Sequence, residues 1–306
     1  MVRVFIKTLK ESSLRELDHF EPGAWVMVES PTQDELEDVS KRFSIDIGLL
    51  KDAIDFYEIP RIEIEDSATF IYTQFPHEAG THIVTIPVLF VLGRDFFITI
   101  SNKRFPNIDS FLEGQLEFFT TQKTKLFLQL FSQINWAYNR YLTRIIRQIK
   151  SSRIKLERIE NEDIVQLVGH EEVLNNFLSV LVPTNNVLRS ILTGRFVRLF
   201  EEDKDLVEDL SLDIAQLVEI CKSNLKNIVN IRDAYSTIMT NNLNRIVKLL
   251  TSLTVVMMVP NIISGLYGMN VRLPLAESPV AFVWLTISML VISIIVLILF
   301  IVRKFF

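Results

Sequence analysis

LLTSLTVVMMVPNIISGLYGMNV, residues 249–271, contains no charged side chain. A second run, VAFVWLTISMLVISIIVLILFIV at 280–302, contains none either. Each is longer than the roughly 20 residues a helix needs to cross a hydrocarbon core about 30 Å thick. The pair decides the architecture: two membrane spans at the carboxyl end of a 306-residue chain, behind a long charged region. Concentrating apolar residues in two runs also explains how a mean hydropathy of +0.28 coexists with 23% charged residues.

Composition removes several functions. One cysteine, Cys221, excludes an intrachain disulfide framework and a Cys-ligated zinc site. His19, His77, His82 and His170 form no pair at metal-ligand spacing. A formal charge of −5 with no basic block argues against nucleic acid as a partner. Met1 to Lys10 has no long apolar stretch, so no cleaved signal peptide is expected. No Gly-x-x-x-x-Gly-Lys-Ser/Thr loop and no nucleophile–base pair stands out, so the chain reads as a non-enzyme.

Working back from the spans, 195–259 contains neither glycine nor proline. Leu206, Leu210, Ile214, Leu217, Cys221, Leu225 and Ile228 recur at helical spacing there, which predicts one rod running straight into the first span. A rod of that length, about 100 Å at 1.5 Å per residue, packs against copies or neighbours. Residues 120–200 read as an antiparallel helical pair, turning near Glu160-Asn161-Glu162-Asp163, with Pro183 bending the second helix. Residues 1–119 alternate strand and helix signals. Strands are expected at Val2–Ile6, Trp25–Val28, Thr69–Gln74, Ile83–Leu92 and Phe96–Ile100, with Gly93-Arg94-Asp95 as a hairpin turn. Thr32 and Glu35 form a capping box, and helices are also expected at Asp46–Phe56 and Ile108–Phe119. The fold class is an α/β domain followed by a long helical stalk and a two-helix transmembrane domain. Its segments are 1–119, 120–200, stalk 201–248, first span 249–267, outer loop 268–279, second span 280–302 and tail 303–306.

Arg245 and Lys248 precede the first span, and Arg303 and Lys304 follow the second; the connector carries only Arg272 and Glu277. The positive-inside rule puts both termini in the cytoplasm of a multi-pass cell-membrane protein. The second span suits lipid. In the first, Asn244, Thr251, Thr254, Met258, Asn261 and Gly265 fall on one helical stripe. A pore lining and a polar glue between helices both fit such a stripe. Pro260 frees a carbonyl in the same span.

The first span ends in Tyr267-Gly268-Met269-Asn270, followed by a short connector, one more span and a basic terminus. That arrangement resembles the CorA family of divalent-cation channels, whose signature is Tyr-Gly-Met-Asn. The resemblance implies a homopentameric funnel in the lipid bilayer, with Gly268, Met269 and Asn270 as selectivity filter. It implies a pore lined by Asn244, Val247, Leu250, Thr254, Met258, Asn261 and Gly265, with apolar constrictions at Val247, Leu250 and Met258. The cargo it implies is Mg²⁺, with Co²⁺ and Ni²⁺ as further passengers. The resemblance also implies cytoplasmic Mg²⁺ as the regulatory ion, and alignment back from the signature puts Asp209 in that site. The denser group Glu201, Glu202, Asp203 and Asp205 is an alternative. Arg272 stands where the family often carries an acidic residue. Two other readings remain: a Zn²⁺ transporter of the same superfamily, against which Met269 leans, and a non-conducting membrane-anchored oligomer.

Overall fold

The structure, a computed structural model, describes residues 1–11, 13–80, 82–154, 161–271, 273–274 and 278–303. It divides into two compact units, Met1–Asn230 and Ile231–Phe306.

The first unit is built on a seven-stranded sheet. Its strands are β1 (Val2–Ile6), β2 (Arg15–Leu17), β3 (Trp25–Glu29), β4 (Arg61–Glu65), β5 (Ala68–Ala79), β6 (His82–Leu92) and β7 (Phe97–Ser101). Their order is β2-β1-β3-β7-β6-β5-β4. Neighbours are antiparallel except β3 and β7, which run parallel with Trp25 opposite Phe97. The hairpin expected at Gly93-Arg94-Asp95 joins β6 to β7, with Leu92 opposite Phe97. Two strands escaped the sequence reading. β2 is three residues long, and β4 interleaves Ile62 and Ile64 with Arg61, Glu63 and Glu65, as suits an edge strand.

Side-chain alternation sends two different sets of residues to the two faces. Val26, Val28, Leu89, Val91, Ile98 and Ile100 form one core with Leu36 and Val39 of α1 (Gln33–Phe43) and Leu50 of α2 (Ile47–Asp52). The opposite face is aromatic. Phe90 meets Phe97, Phe105 and Phe127, the last at 5.2 Å between centroids. Trp25 contacts Phe5 and Phe118, and its Nε1 donates to Thr99 Oγ1 at 3.0 Å.

Local chemistry sets the helix limits. The Thr32–Glu35 capping box is complete: Glu35 N–H donates to Thr32 Oγ1, and Thr32 N–H donates to the Glu35 carboxylate. That backbone bond holds the Glu35 carboxyl below its ordinary value. The helix expected through Phe56 stops at Asp52, because Asp55 accepts from Tyr57 N–H and folds the chain into a turn. The helix expected to Phe119 is only α3 (Ile108–Leu112); Gly114 follows at φ +74°, a left-handed conformation suited to glycine.

Two long helices, α4 (Lys123–Ile154) and α5 (Asn161–Leu192), pack on the sheet and on each other. Tyr138 and Phe177 meet edge to face at 4.9 Å. Each lies equally far from the connector, as an antiparallel hairpin requires. Asn161, Glu162 and Asp163 open α5 rather than forming the expected turn, and acidic side chains suit a helix start. Glu160 lies outside the described residues. Pro183 is inside α5, as expected.

Helix α6 runs Glu201–Tyr267. It starts six residues after the breaker-free run begins, because the carbonyls of Phe196 and Arg198 accept from Thr69 and Thr124 hydroxyls instead. Phe200 N–H then donates to Asp203 Oδ2 at 3.2 Å, which caps the first turn. α6 lies beside α4 in parallel, with Lys125 near Glu202 (3.9 Å) and Asn135 bonded to Asp213 (2.9 Å). The second unit holds the end of α6 and α7 (Ala281–Val302), and both are long and apolar enough to cross a membrane.

Candidate functional site

In the second unit each helix keeps one stripe from solvent. On α6 it is Ser252, Val256, Val259, Ile263 and Tyr267; on α7 it is Leu285, Ser288, Met289, Ser293, Val296 and Phe300. Among the described residues no other long element belongs to this unit, so each helix is what can cover the other's stripe. Ser252 is fully buried and donates to the Leu249 carbonyl at 2.9 Å.

Asn244, Val247, Leu250, Thr254, Met258, Asn261 and Gly265 are all exposed. At 3.6 residues per turn their face lies about 160° around α6 from the Ser252 stripe. The small-hydroxyl seam between the chain's own spans therefore exists, but it uses Ser252, Ser288 and Ser293. The Asn–Thr–Met stripe points away from it.

The hydroxyl hydrogens on this face are committed inward. Thr251 Oγ1 donates to the Val247 carbonyl and Thr254 Oγ1 to the Leu250 carbonyl, each at 2.8 Å. Each oxygen keeps its remaining lone-pair capacity outward as an acceptor. Val247, Leu250 and Met258 interrupt the polar groups with apolar surface exposed by more than half. A Cβ on Gly265 would meet nothing within 4 Å, so the stripe is also narrow in profile there.

α6 ends at Tyr267. Gly268 N–H donates to the Ser264 carbonyl (3.0 Å) and Met269 N–H to the Leu266 carbonyl (3.3 Å), which closes the last turn. A Cβ on Gly268 would lie 3.2 Å from the Ser264 oxygen, so this close return favours glycine. Tyr267 Oη donates to the Pro274 carbonyl at 3.2 Å and ties the connector to the helix end. Met269 and Asn270 are exposed just beyond it. Arg272, Glu277 and Lys304 lie outside the described residues.

Asp209 is exposed on α6, on the same face as Asp205, Glu208 and Leu212. Among the described residues no group of three His, Cys, Asp or Glu side chains could hold a metal ion. The denser acidic group has other work. Asp203 is buried as the helix cap, Glu201 pairs with Lys204 at 2.6 Å, and Glu202 faces Lys125. Sequence reasoning missed the Ser252 seam; a hydroxyl among apolar neighbours on the opposite face was its only signal.

The family model for CorA-like Mg²⁺ transporter proteins matches residues 22–304. The cobalt/magnesium transport protein CorA of Methanocaldococcus jannaschii is 25% identical over 284 residues, 89% of this chain and 87% of that protein. The magnesium transport protein CorA of Helicobacter pylori is 24% identical over 297 residues, covering 89% of each chain. The complete structure of the M. jannaschii CorA magnesium transporter superposes with a TM-score of 0.88 at 23% identity, covering 98% of this chain and 97% of that one.

Proposed function

We propose, since this chain belongs to the CorA-like Mg²⁺ transporter family, that it conducts hydrated divalent cations through an axial path in a ring of identical subunits. Mg²⁺ is the principal cargo, with Co²⁺ and Ni²⁺ as further passengers. The observation that carries this is the placement of the Asn244–Gly265 stripe: it is polar, exposed and turned away from the chain's own second span. A polar face at membrane depth needs water or a partner. Five such faces around an axis enclose a wet path.

The chemistry suits a hydrated dication. Water bound to Mg²⁺ presents hydrogens outward, so a wall that welcomes it must accept. Thr254 oxygens, whose hydrogens are committed to the helix, and the amide oxygens of Asn261 and Asn244 do so. At the mouth, Asn270 amides beside the Gly268 carbonyls form a ring of neutral oxygens. Mg²⁺ gives up water reluctantly, so such a ring selects on hydrated size and charge without trapping the ion. Val247, Leu250 and Met258 narrow the path with apolar rings, which close by excluding water. Arg245, Lys248 and Arg303 support cytoplasmic termini through the positive-inside rule. One charge falling through 100 mV gains about 2.3 kcal/mol, so a dication gains about 4.6 and needs no nucleotide.

For regulation, Asp209 has no metal-binding company among the described residues of its own chain. Mg²⁺ there draws its other carboxylate from a neighbouring subunit and stabilises the closed ring, which loosens as the ion leaves.

The test is flux. Full-length protein in liposomes loaded with a Mg²⁺ dye admits Mg²⁺ when the interior is made negative, and Asn270→Ala slows that influx about tenfold or more while the oligomer stays intact. A flat trace for the parent protein overturns conduction. Unchanged flux in the variant removes the amide ring as filter.

A further inference from the structure

Helix α4 carries charge of one sign: Lys123–Ile154 contains no acidic residue. Trp136, Arg140, Arg144 and Arg147 are exposed and recur three or four residues apart, which puts them along one face. Beside the end of β5 this face forms an open groove of about 880 Å³. The groove lies wholly within the first unit.

Its charge is not balanced from within. Arg140 and Arg144 stand one turn apart, as do Arg144 and Arg147, so neighbouring guanidiniums repel. Glu78 accepts from Arg144 through both oxygens at 3.2 Å and neutralises that one. Arg140 and Arg147 pair with no carboxylate among the described residues. Three arginines and one glutamate line the groove, which leaves a formal +2 there in a chain whose total is −5.

Aromatic surface lies at one end. Trp136 is 51% exposed. The Arg140 guanidinium rests over its ring at 5.0 Å and over the Tyr141 ring at 5.1 Å, and Arg144 rests over Tyr141 at 5.0 Å. A guanidinium held on ring faces keeps N–H donors for an anion. The remaining indole surface is open to a further planar group. Arg147 is about 16 Å along the axis from Trp136 and about 10 Å from Arg140. The first length suits a base with a polyphosphate tail laid along the helix. The second is more than one phosphate bridges and suits several in a row.

We propose that this groove binds a nucleoside polyphosphate, its base on Trp136 and its phosphates along Arg140, Arg144 and Arg147. The phosphate oxygens accept from the two unpaired guanidiniums and relieve the repulsion along the helix. The base supplies the stacking partner that the exposed indole lacks. A phosphate chain without a base would satisfy the arginines alone, and a long nucleic acid would meet the acidic remainder of the chain. The inference goes beyond cation conduction and does not depend on it.

Equilibrium dialysis of the full chain in detergent tests it, with EDTA present so that no metal takes part. The probes are ATP, methyl triphosphate, which has the same phosphates and no base, and adenosine. ATP binds tightest; methyl triphosphate and adenosine each bind about tenfold weaker or worse. Arg140→Gln with Arg147→Gln lowers ATP affinity about tenfold or more. Trp136→Ala lowers ATP affinity about tenfold and leaves methyl triphosphate within about twofold, whereas Trp136→Phe restores ATP binding. All three side chains are exposed, so none of these changes opens the core. ATP that fails to bind the parent, or binds the arginine variant equally well, overturns the site. Equal affinity for ATP and methyl triphosphate overturns the base stack and with it the nucleoside assignment. A short single-stranded oligonucleotide that displaces ATP at lower concentration than ATP itself overturns the small ligand in favour of a nucleic acid.

Discussion

Met1–Asn230 hides most of its large apolar side chains, whereas Ile231–Phe306 displays most of its own. Trp25, Phe90 and Phe127 have no exposed surface, while Leu250 is 61% and Phe282 78% exposed. In water the second pattern is a liability. The contrast shows two solvents written into one chain. Where water is the solvent, apolar residues turn inward and charge covers the outside. Where the helices are long and apolar enough to cross a membrane, apolar residues turn outward, and Asn244, Thr254 and Asn261 share one exposed face of α6.

That contrast can be broken or sharpened by substitution. Phe90→Ala should cost about 3–5 kcal/mol in urea unfolding of the full chain followed by near-UV circular dichroism. The same truncation at Leu253, exposed in the second unit, should move that curve hardly at all. Equal losses would mean the two units do not differ as described. Ser252→Leu overfills the seam and should cost about 1–3 kcal/mol, seen as faster protease entry between α6 and α7. No change there would mean the seam is slack. Asp209→Lys should raise about tenfold the Mg²⁺ needed to protect the stalk from protease, a difference near 1.4 kcal/mol. Equal protection would discard the regulatory site.

The smallest effects lie at the start of α1. Thr32→Ala should cost about 1 kcal/mol. Glu35→Gln should cost less and carry the pH dependence. The folded Glu35 carboxyl titrates below its ordinary 4.5, so its contribution is present above 4.5 and lost as pH falls through the lower folded value. The gap between parent and variant, large at pH 7, should therefore close on acidification; a gap that widens would reverse the assignment.

What was legible follows from where the signal is local. The capping box, the hairpin at Gly93 and the two uncharged runs are written in neighbouring residues, and each appears as expected. The polar stripe was legible because asparagine and threonine stand out in an apolar run. The parallel pairing of β3 with β7 depends on residues some 70 positions apart. β4 was hidden because its alternation is half charged, and the end of the second predicted helix turned on one aspartate, Asp55. The first expectation for the rod failed at Arg195 because distant threonines bind its carbonyls. No reading of one segment discloses that. The face opposite the stripe went unread because serine looks innocuous among leucines and valines. The α4 groove needed the fold to bring Glu78 beside Arg144.

Pro260 brings no amide hydrogen to α6, so the Val256 oxygen has no donor four residues along. Hydrocarbon offers nothing to quench such an oxygen. Val256 belongs to the covered stripe. The rod thus gives up one rung of its backbone ladder at a single depth, on the less exposed side of the span.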